Sequence, residues 1–435
     1  MDLPAPAWLL QGLLVAFFIA HILFVNLMLG GALLTVYFQR LSARLREPKY
    51  DALARAIAET ITVNKSVAVV LGVGPLLAMN VLYTTHFYSA NALTGAAWIA
   101  IIPMAIIAFL LLYWHKYSWD AMARHKLFHR WIAVFAVLLL LAIPAIFLTN
   151  INLMLFPEKW GEVRGFWSAL KLPNVLPRYA HFVLASVSAT SLFGAWYFGR
   201  THKPVSNDFG DLAPPMLRRS FYRITWYATC CQFVAGPTVL LTLPERAVSG
   251  AMFGTIIAGA TMAAIGMMFL WSELQESDET IGRGYWIVVT LFAGTVVFMA
   301  TGRHFYRENA LRDHRHAIAS KTREFLMASQ AAYREQQAEL AKFPPEQRLF
   351  QSRCGACHAI DVVRVGPPLS EIARIYQNRP EGIVAWAMAP GKKRANFPQM
   401  PSMKHVGEQD LAVIAQFMLR AGAAHTTSPP APPAP

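Results

Sequence analysis

The stretch Cys354-Gly-Ala-Cys357-His358 has a spacing that dictates a specific chemistry. Two thiols three residues apart reach two vinyl groups on one face of a porphyrin, and the next histidine falls on its iron; the motif attaches a c-type haem. Read instead as a metal or redox pair, the cysteines lack a second ligand pair and leave the adjacent histidine unexplained. The opposite side of such an iron suits a thioether from later in the chain. Phe397-Pro-Gln-Met400-Pro-Ser-Met403 offers two, Met400 as the candidate and Met403 as the reserve. Only one of them binds, and the other packs. A Met ligand raises the potential of the iron, as an electron relay requires.

A second set of residues lies in apolar sequence. His21, His86, His181 and His304 all fall at or near the outer edge of long hydrophobic stretches. Ionisable groups there are costly and mark function, although a lone histidine also serves as an interhelical hydrogen-bonder. His115, His125 and His129 sit among Lys and Arg in a connection and read as solvated residues. Cys230 and Cys231 read as small packing residues, and Lys65 as a snorkelling side chain. Asn26 and Asn80 read as interhelical glue, with contact to a haem edge as the alternative.

The elements that position these residues follow from composition. With 55% hydrophobic and 15% charged residues, the chain is too apolar for an ordinary soluble globule. The net charge of +14 lies in the connections rather than along one face, so it sets topology and excludes nucleic acid as a partner. About eight stretches reach the roughly 20 residues that span a membrane: 8–38, 62–87, 92–114, 130–151, 178–199, 220–243, 250–272 and 284–302. Arg40, Arg44, Arg46 and Lys49, then Lys116, Arg124, Lys126 and Arg130, then Arg200, Lys203, Arg218 and Arg219 mark three cytoplasmic connections. Both termini then lie outside, where haem is covalently attached. Two connections run against the rule: 150–178 is basic but outside, and 272–285 is acidic but inside. The start of the chain has no basic n-region and is expected to remain as the first membrane helix.

The domain plan is a membrane bundle over 1–303, a helical linker over 304–343, a compact domain over 344–423 and a Pro-rich, disordered tail over 424–435. The stretch 321–343 alone makes a helical spacer of about 35 Å.

Two resemblances sharpen this plan. Gly366-Pro-Pro-Leu369, and Met400-Pro401 ahead of an acidic-capped helix from Glu408 to Ala421, resemble class I cytochromes c. His21-Ile-Leu-Phe-Val-Asn-Leu-Met-Leu-Gly30 resembles the first helix of the large subunit of cytochrome bd quinol oxidases. Leu176-Pro-Arg-Tyr-Ala-His181 through Arg200 is similar to that family's fifth helix, and Gly302-Arg303 matches the end of its last matched helix. The resemblance covers residues 8 to about 303. It implies that His21 and His181 bind non-covalent b haems, one or two in number, with His304 and His86 as further candidates.

The departures are equally specific. The third helix, Trp98 to Tyr113, and the eighth, Trp286 to Thr301, contain no Asp or Glu, whereas the family uses glutamates there as proton carriers and as a haem ligand. Met252 and Met262 stand at shifted positions relative to the expected sixth-ligand Met. The quinol-binding loop is reduced to Leu243–Gly250.

The expected protein is all-α, a polytopic membrane bundle with a C-terminal class I cytochrome c domain. It transfers electrons between membrane b haem, fed by the quinol pool or a partner subunit, and a periplasmic redox partner through one covalent c haem. The alternative is a bd-like terminal oxidase or nitric oxide reductase subunit fed by cytochrome c. Membrane lipid, a periplasmic cytochrome or other redox protein, and a second membrane subunit are the expected partners. The expected location is a bacterial inner membrane with both termini and the c domain periplasmic.

Overall fold

A computed structural model describes residues 3–200, 209–392, 395 and 397–426, the side chains at 61–69 excepted. The side chain of Lys65, all of Lys203 and tail residues 427–435 lie outside the described residues. The chain divides into two compact units, 1–316 and 317–435. Among the described residues there is no strand.

The first unit runs α1 (Ala7–Leu45), α2 (Pro48–Leu82), α3 (Thr84–Thr94), α4 (Ala96–Tyr117), α5 (Lys126–Met154), the short α6 (Phe166–Leu170), α7 (Val175–Tyr197), α8 (Pro214–Leu241), α9 (Gly250–Gln275) and the start of α10 (Tyr285–Ala341). Local chemistry sets the breaks. Arg46 caps α1 in a left-handed conformation and Pro48 opens α2. Gly95, at φ 47°, separates α3 from α4. Among the described residues six helices are long and apolar enough to cross a membrane, and the pair Val70–Leu82 with Thr84–Thr94, bent by 110°, makes a seventh if counted as one broken span. Helix α7, the fifth of the sequence-derived spans, is the one outside this count. Its 23 residues reach about 35 Å, but Ser186, Ser188, Thr190 and Ser191 make it more polar, and all four are buried.

Those hydroxyls face neighbouring helices. Ser186 Oγ donates to Asn26 Oδ1 at 2.9 Å, Thr190 Oγ1 donates to the Asn26 carbonyl at 2.8 Å, and Ser188 pairs with Thr229 of α8 at 2.8 Å. Gly30 makes the α1–α7 crossing feasible, since any Cβ there would collide with Thr190 and the Ser186 carbonyl.

The connections at one end of the bundle, between α1 and α2, α4 and α5, α7 and α8, and α9 and α10, form its basic end. Lys126 pairs there with Asp51 at 2.7 Å, Arg55 with Asp120 at 2.6 Å and Arg219 with Asp278 at 2.9 Å. The acidic 272–285 connection therefore neutralises arginine from α8. At the opposite end, Arg246 pairs with Glu158 at 2.7 Å and donates to the Ala310 carbonyl at 3.0 Å.

Two expectations change. The eighth membrane helix does not end near residue 302. No Pro or Gly follows Gly302 until Pro344, and α10 continues unbroken for 57 residues, so the bundle unit extends to 316. His115 and His129 are not solvated loop residues. Helix α4 runs to Tyr117 and α5 starts at Lys126, which puts both inside packed helices at 1% and 0% exposure. His125 is exposed.

The second unit contains the rest of α10 and four helices, α11 (Pro345–Arg353), α12 (Leu369–Tyr376), α13 (Pro380–Met388) and α14 (Glu408–Thr426). They close around Phe350, Leu369, Ile372, Ile414, Ala415 and Met418. Gly422 lets α14 cross directly over the Leu369 carbonyl.

Candidate haem sites

In the second unit, α11 ends at the attachment motif. The N–H of Cys354 bonds to the Phe350 carbonyl at 2.7 Å, and the Cys354 side chain is buried beside the core while Cys357 is half-buried. Burial pushes the Cys354 thiol up to about 11. Neither cysteine is in a disulfide. The chain then folds back: Gly366 N–H reaches the Cys357 carbonyl at 2.8 Å and Leu369 N–H reaches that of Ala359 at 2.8 Å. The fold-back delivers the Pro367 carbonyl to His358 Nδ1, 2.8 Å away. A carbonyl only accepts, so Nδ1 carries the proton and Nε2 is left as the metal-binding nitrogen. Gly366 packs flat on this ring, and a Cβ there would collide with it.

The two methionines separate. Met403 is 9% exposed, part of the core, and its N–H bonds to the Ala387 carbonyl at 2.9 Å. Met400 is half-buried and lines an open cleft of ≈ 580 Å³ with Met388, Pro390, Gln399 and Lys404. These residues fit a covalent haem: two unpaired thiols, an oriented imidazole and a thioether on a cleft wall.

In the first unit, the α1–α7 register decides the levels. Asn26 lies beside Ser186 and Gly30 beside Thr190, so the helices run parallel. Continued five residues back, about 7.5 Å of rise, the same register sets His21 level with His181. Helix α10 passes at the same level, with the Arg303 guanidinium 4.4 Å from the Phe18 ring and Arg178 5.2 Å from the Tyr306 ring. His304 therefore joins His21 and His181 within about a turn.

His21 lies against Gly72 of α2, where a Cβ would approach to 2.8 Å, and His181 faces α8 at Gly236. Nδ1 of His181 and of His304 are buried without a hydrogen-bond partner. His86 differs: Nε2 is 2.9 Å from His314 Nδ1, with Trp160 edge-on to both rings. Met252 is buried against Gly302, and Met262 lies against Gly294.

Toward the non-basic end of this level, Arg178, Arg303 and Arg307 have guanidinium nitrogens that are buried without partners. Buried cations are costly unless an anion pairs with them. Orphaned imidazole nitrogens, a glycine cradle beneath His21 and guanidinium groups with orphaned nitrogens are the donor set that a porphyrin with two carboxylates fits.

Sequence reasoning missed Arg178 and Arg307, and also Glu308 and His314. Tyr83, at the α2–α3 bend, donates to Glu308, which also takes Arg315 at 2.8 Å. All four lie in or against the part of α10 assigned to a linker, or one turn before His181. A helical wheel continued past Gly302 would have found Glu308 and His314.

Comparison with known proteins adds two findings. Residues 347–421 match the family model for cytochrome c. A chain in the structure of bd oxidase from Geobacillus thermodenitrificans is similar to this one, with a TM-score of 0.52, 14% identity, and coverage of 71% of this chain and 86% of that chain. No curated protein matches significantly. The fold and the attachment motif thus define a membrane cytochrome involved in electron transfer. More particularly, a membrane domain of bd-oxidase-like fold is fused to a cytochrome c domain, which implies a covalent c haem.

Proposed function

We propose that this chain is an electron-transfer cytochrome of an energy-conserving membrane, holding one or two b haems in the level of His21, His181 and His304 and one c haem at Cys354, Cys357 and His358. Bound haem supplies a one-electron couple at iron, and everything else is the protein's contribution. Cys354 and Cys357 anchor covalently. His358, oriented by the Pro367 carbonyl, and Met400 would hold its iron. His181 and His21 are the imidazoles that would hold b-haem iron. Arg178, Arg303 and Arg307 would neutralise its carboxylates, with Tyr306 packed beneath Arg178.

Positive residues at the basic end support a cytoplasmic orientation for it, with the opposite end and the c domain outside. The redox partner is then a periplasmic protein, and quinol or a second membrane subunit is the source on the membrane side. The observation that carries the reading is the set of unpartnered imidazole and guanidinium nitrogens at one level of a bd-like fold.

The test is an anaerobic spectrum of the purified protein before and after a short-chain quinol, followed by a pulse of oxygen. Reduction of b and c bands by quinol with slow reoxidation is the expected result. If quinol is inert while reduced soluble cytochrome c fills the c haem and oxygen empties it within turnover time, the chain is instead the oxidase subunit named as the alternative.

A further inference from the structure

The cations of the basic end fall into two groups. Lys49 pairs with Glu47 at 2.9 Å and Asp211 at 3.0 Å, and Arg55, Lys126 and Arg219 have the carboxylates already described. Arg40, Arg44 and Arg200 make no ion pair among the described residues, and the first two are exposed. The unmatched three are not scattered.

The register of α1 against α7 brings them together. Asn26 meets Ser186 and Gly30 meets Thr190, partners 160 residues apart. The same offset holds further along, where Phe38 and Phe198 both pack on Phe221, with centroids 5.8 and 5.7 Å away. Arg40 and Arg200 each follow by two residues and share that level. Helical spacing gives the direction. Asn26, Gly30, Leu33, Tyr37, Arg40 and Arg44 recur every three or four residues, so both arginines lie on the stripe of α1 that faces α7. Tyr37, on the same stripe, is nonetheless 50% exposed, so the two helices leave a groove open at this end.

This groove has the chemistry of a lipid site. The Arg200 guanidinium stacks 4.4 Å from the Trp196 ring and 4.7 Å from the Tyr197 ring, which fixes a planar cation at the depth where Trp and Tyr mark a membrane interface. Two turns toward the hydrocarbon core, Leu33 and Phe193 are half-buried, and Phe193 stacks on Tyr197 at 5.5 Å. Cations without anions, set over partly open apolar side chains, match a phosphate headgroup with acyl chains beneath it. A basic pocket between membrane helices binds anionic headgroups for this reason.

We propose that the α1–α7 groove at the basic end binds an anionic phospholipid, its phosphate held by Arg40, Arg44 and Arg200 and its chains lying along Leu33 and Phe193. The inference needs only the membrane bundle, so it stands or falls apart from the haem reading.

The experiment uses full-length protein, delipidated in mild detergent and titrated with dioleoyl phosphatidylglycerol or dioleoyl phosphatidylcholine, with bound lipid counted by native mass spectrometry. Wild type is expected to bind phosphatidylglycerol about tenfold or more tightly than phosphatidylcholine at one site. Arg40→Gln and Arg200→Gln are each expected to weaken that binding about fivefold, and together roughly 25-fold, the worth of one arginine near a headgroup taken once and twice. Lys171→Gln removes one exposed positive charge at the opposite end and is expected to change nothing. Should Arg200→Gln not purify as intact protein, the exposed pair Arg40→Gln and Arg44→Gln decides. Equal binding of the two lipids by wild type overturns the proposal, and so does unchanged phosphatidylglycerol binding in an intact double variant. An equal loss in Lys171→Gln also overturns it, because net charge rather than the groove is then at work. Displacement of the lipid by millimolar inorganic phosphate at constant ionic strength overturns it too, by making the site one for free phosphate.

Discussion

Ser186 Oγ donates to Asn26 Oδ1 at 2.9 Å, and this bond sets the register of α1 against α7. Five residues before each partner stands a histidine, His21 and His181. One interhelical bond between small polar side chains thus fixes the level at which two candidate haem ligands meet the hydrocarbon core. Asn26→Leu is expected to lower b-haem content while leaving the c band unchanged. Haem extraction from the purified variant checks it, and equal b and c content in variant and wild type contradicts it.

The three guanidinium groups that carry orphaned nitrogens give a separate prediction. If they hold haem carboxylates, each removes a buried charge-assisted hydrogen bond when lost, worth about 1.5 to 3 kcal/mol. Arg178→Leu and Arg303→Leu are each expected to weaken retention of b haem by roughly ten- to a hundredfold. Haem loss to excess apomyoglobin measures this directly. A rate of loss equal to wild type assigns these arginines to packing alone.

In the c domain, the two methionines should fail differently. Met400→Ala is expected to abolish the Met-to-iron charge-transfer band and lower the potential, with little loss of fold. Met403→Ala is expected to keep that band and destabilise the domain by about 2 to 5 kcal/mol, the cost of a cavity in a packed core. Denaturant melts and near-infrared spectra of the two variants separate these roles.

The Asp120 carboxyl is held below the usual carboxylate range by its hydrogen bonds to Arg55 at 2.6 and 2.8 Å. A depressed carboxyl stabilises the fold above its unfolded pKa, and the contribution is lost as pH falls through the folded value. Asp120→Asn is therefore expected to lower the thermal midpoint at pH 7 and to make no difference near pH 2. A difference that persists in acid contradicts this account of the pair.

Much of this was legible in the sequence, for physical reasons. Cys354, Cys357 and His358 are adjacent, so their chemistry needs no tertiary information. Apolar length identifies membrane helices because the hydrocarbon core tolerates little else. Helix α7 was found by apolar length, as the stretch 178–199, and its buried serines and threonine explain why it is less apolar than the other spans. What stayed hidden depends on packing between distant segments. His115 and His129 carry the same flanking Lys and Arg as a solvated loop, and only the close approach of α4 to α5 buries them. The end of the last bundle helix was misplaced because polar residues signal the water interface, whereas helix continuation depends on the absence of Pro and Gly. Glu308, bonded to Tyr83, went unnoticed for the same reason.

The central claim is that one chain holds both b and c haems. Alkaline pyridine haemochrome spectra of the purified full-length protein and of His181→Ala, taken before and after acid–acetone extraction, test it most directly. Wild type is expected to show an extractable b-type band and a c-type band that stays with the polypeptide, and His181→Ala to lose b haem while retaining c. An extract of wild-type protein with no b haem, or a His181→Ala variant with its b haem intact, contradicts the account.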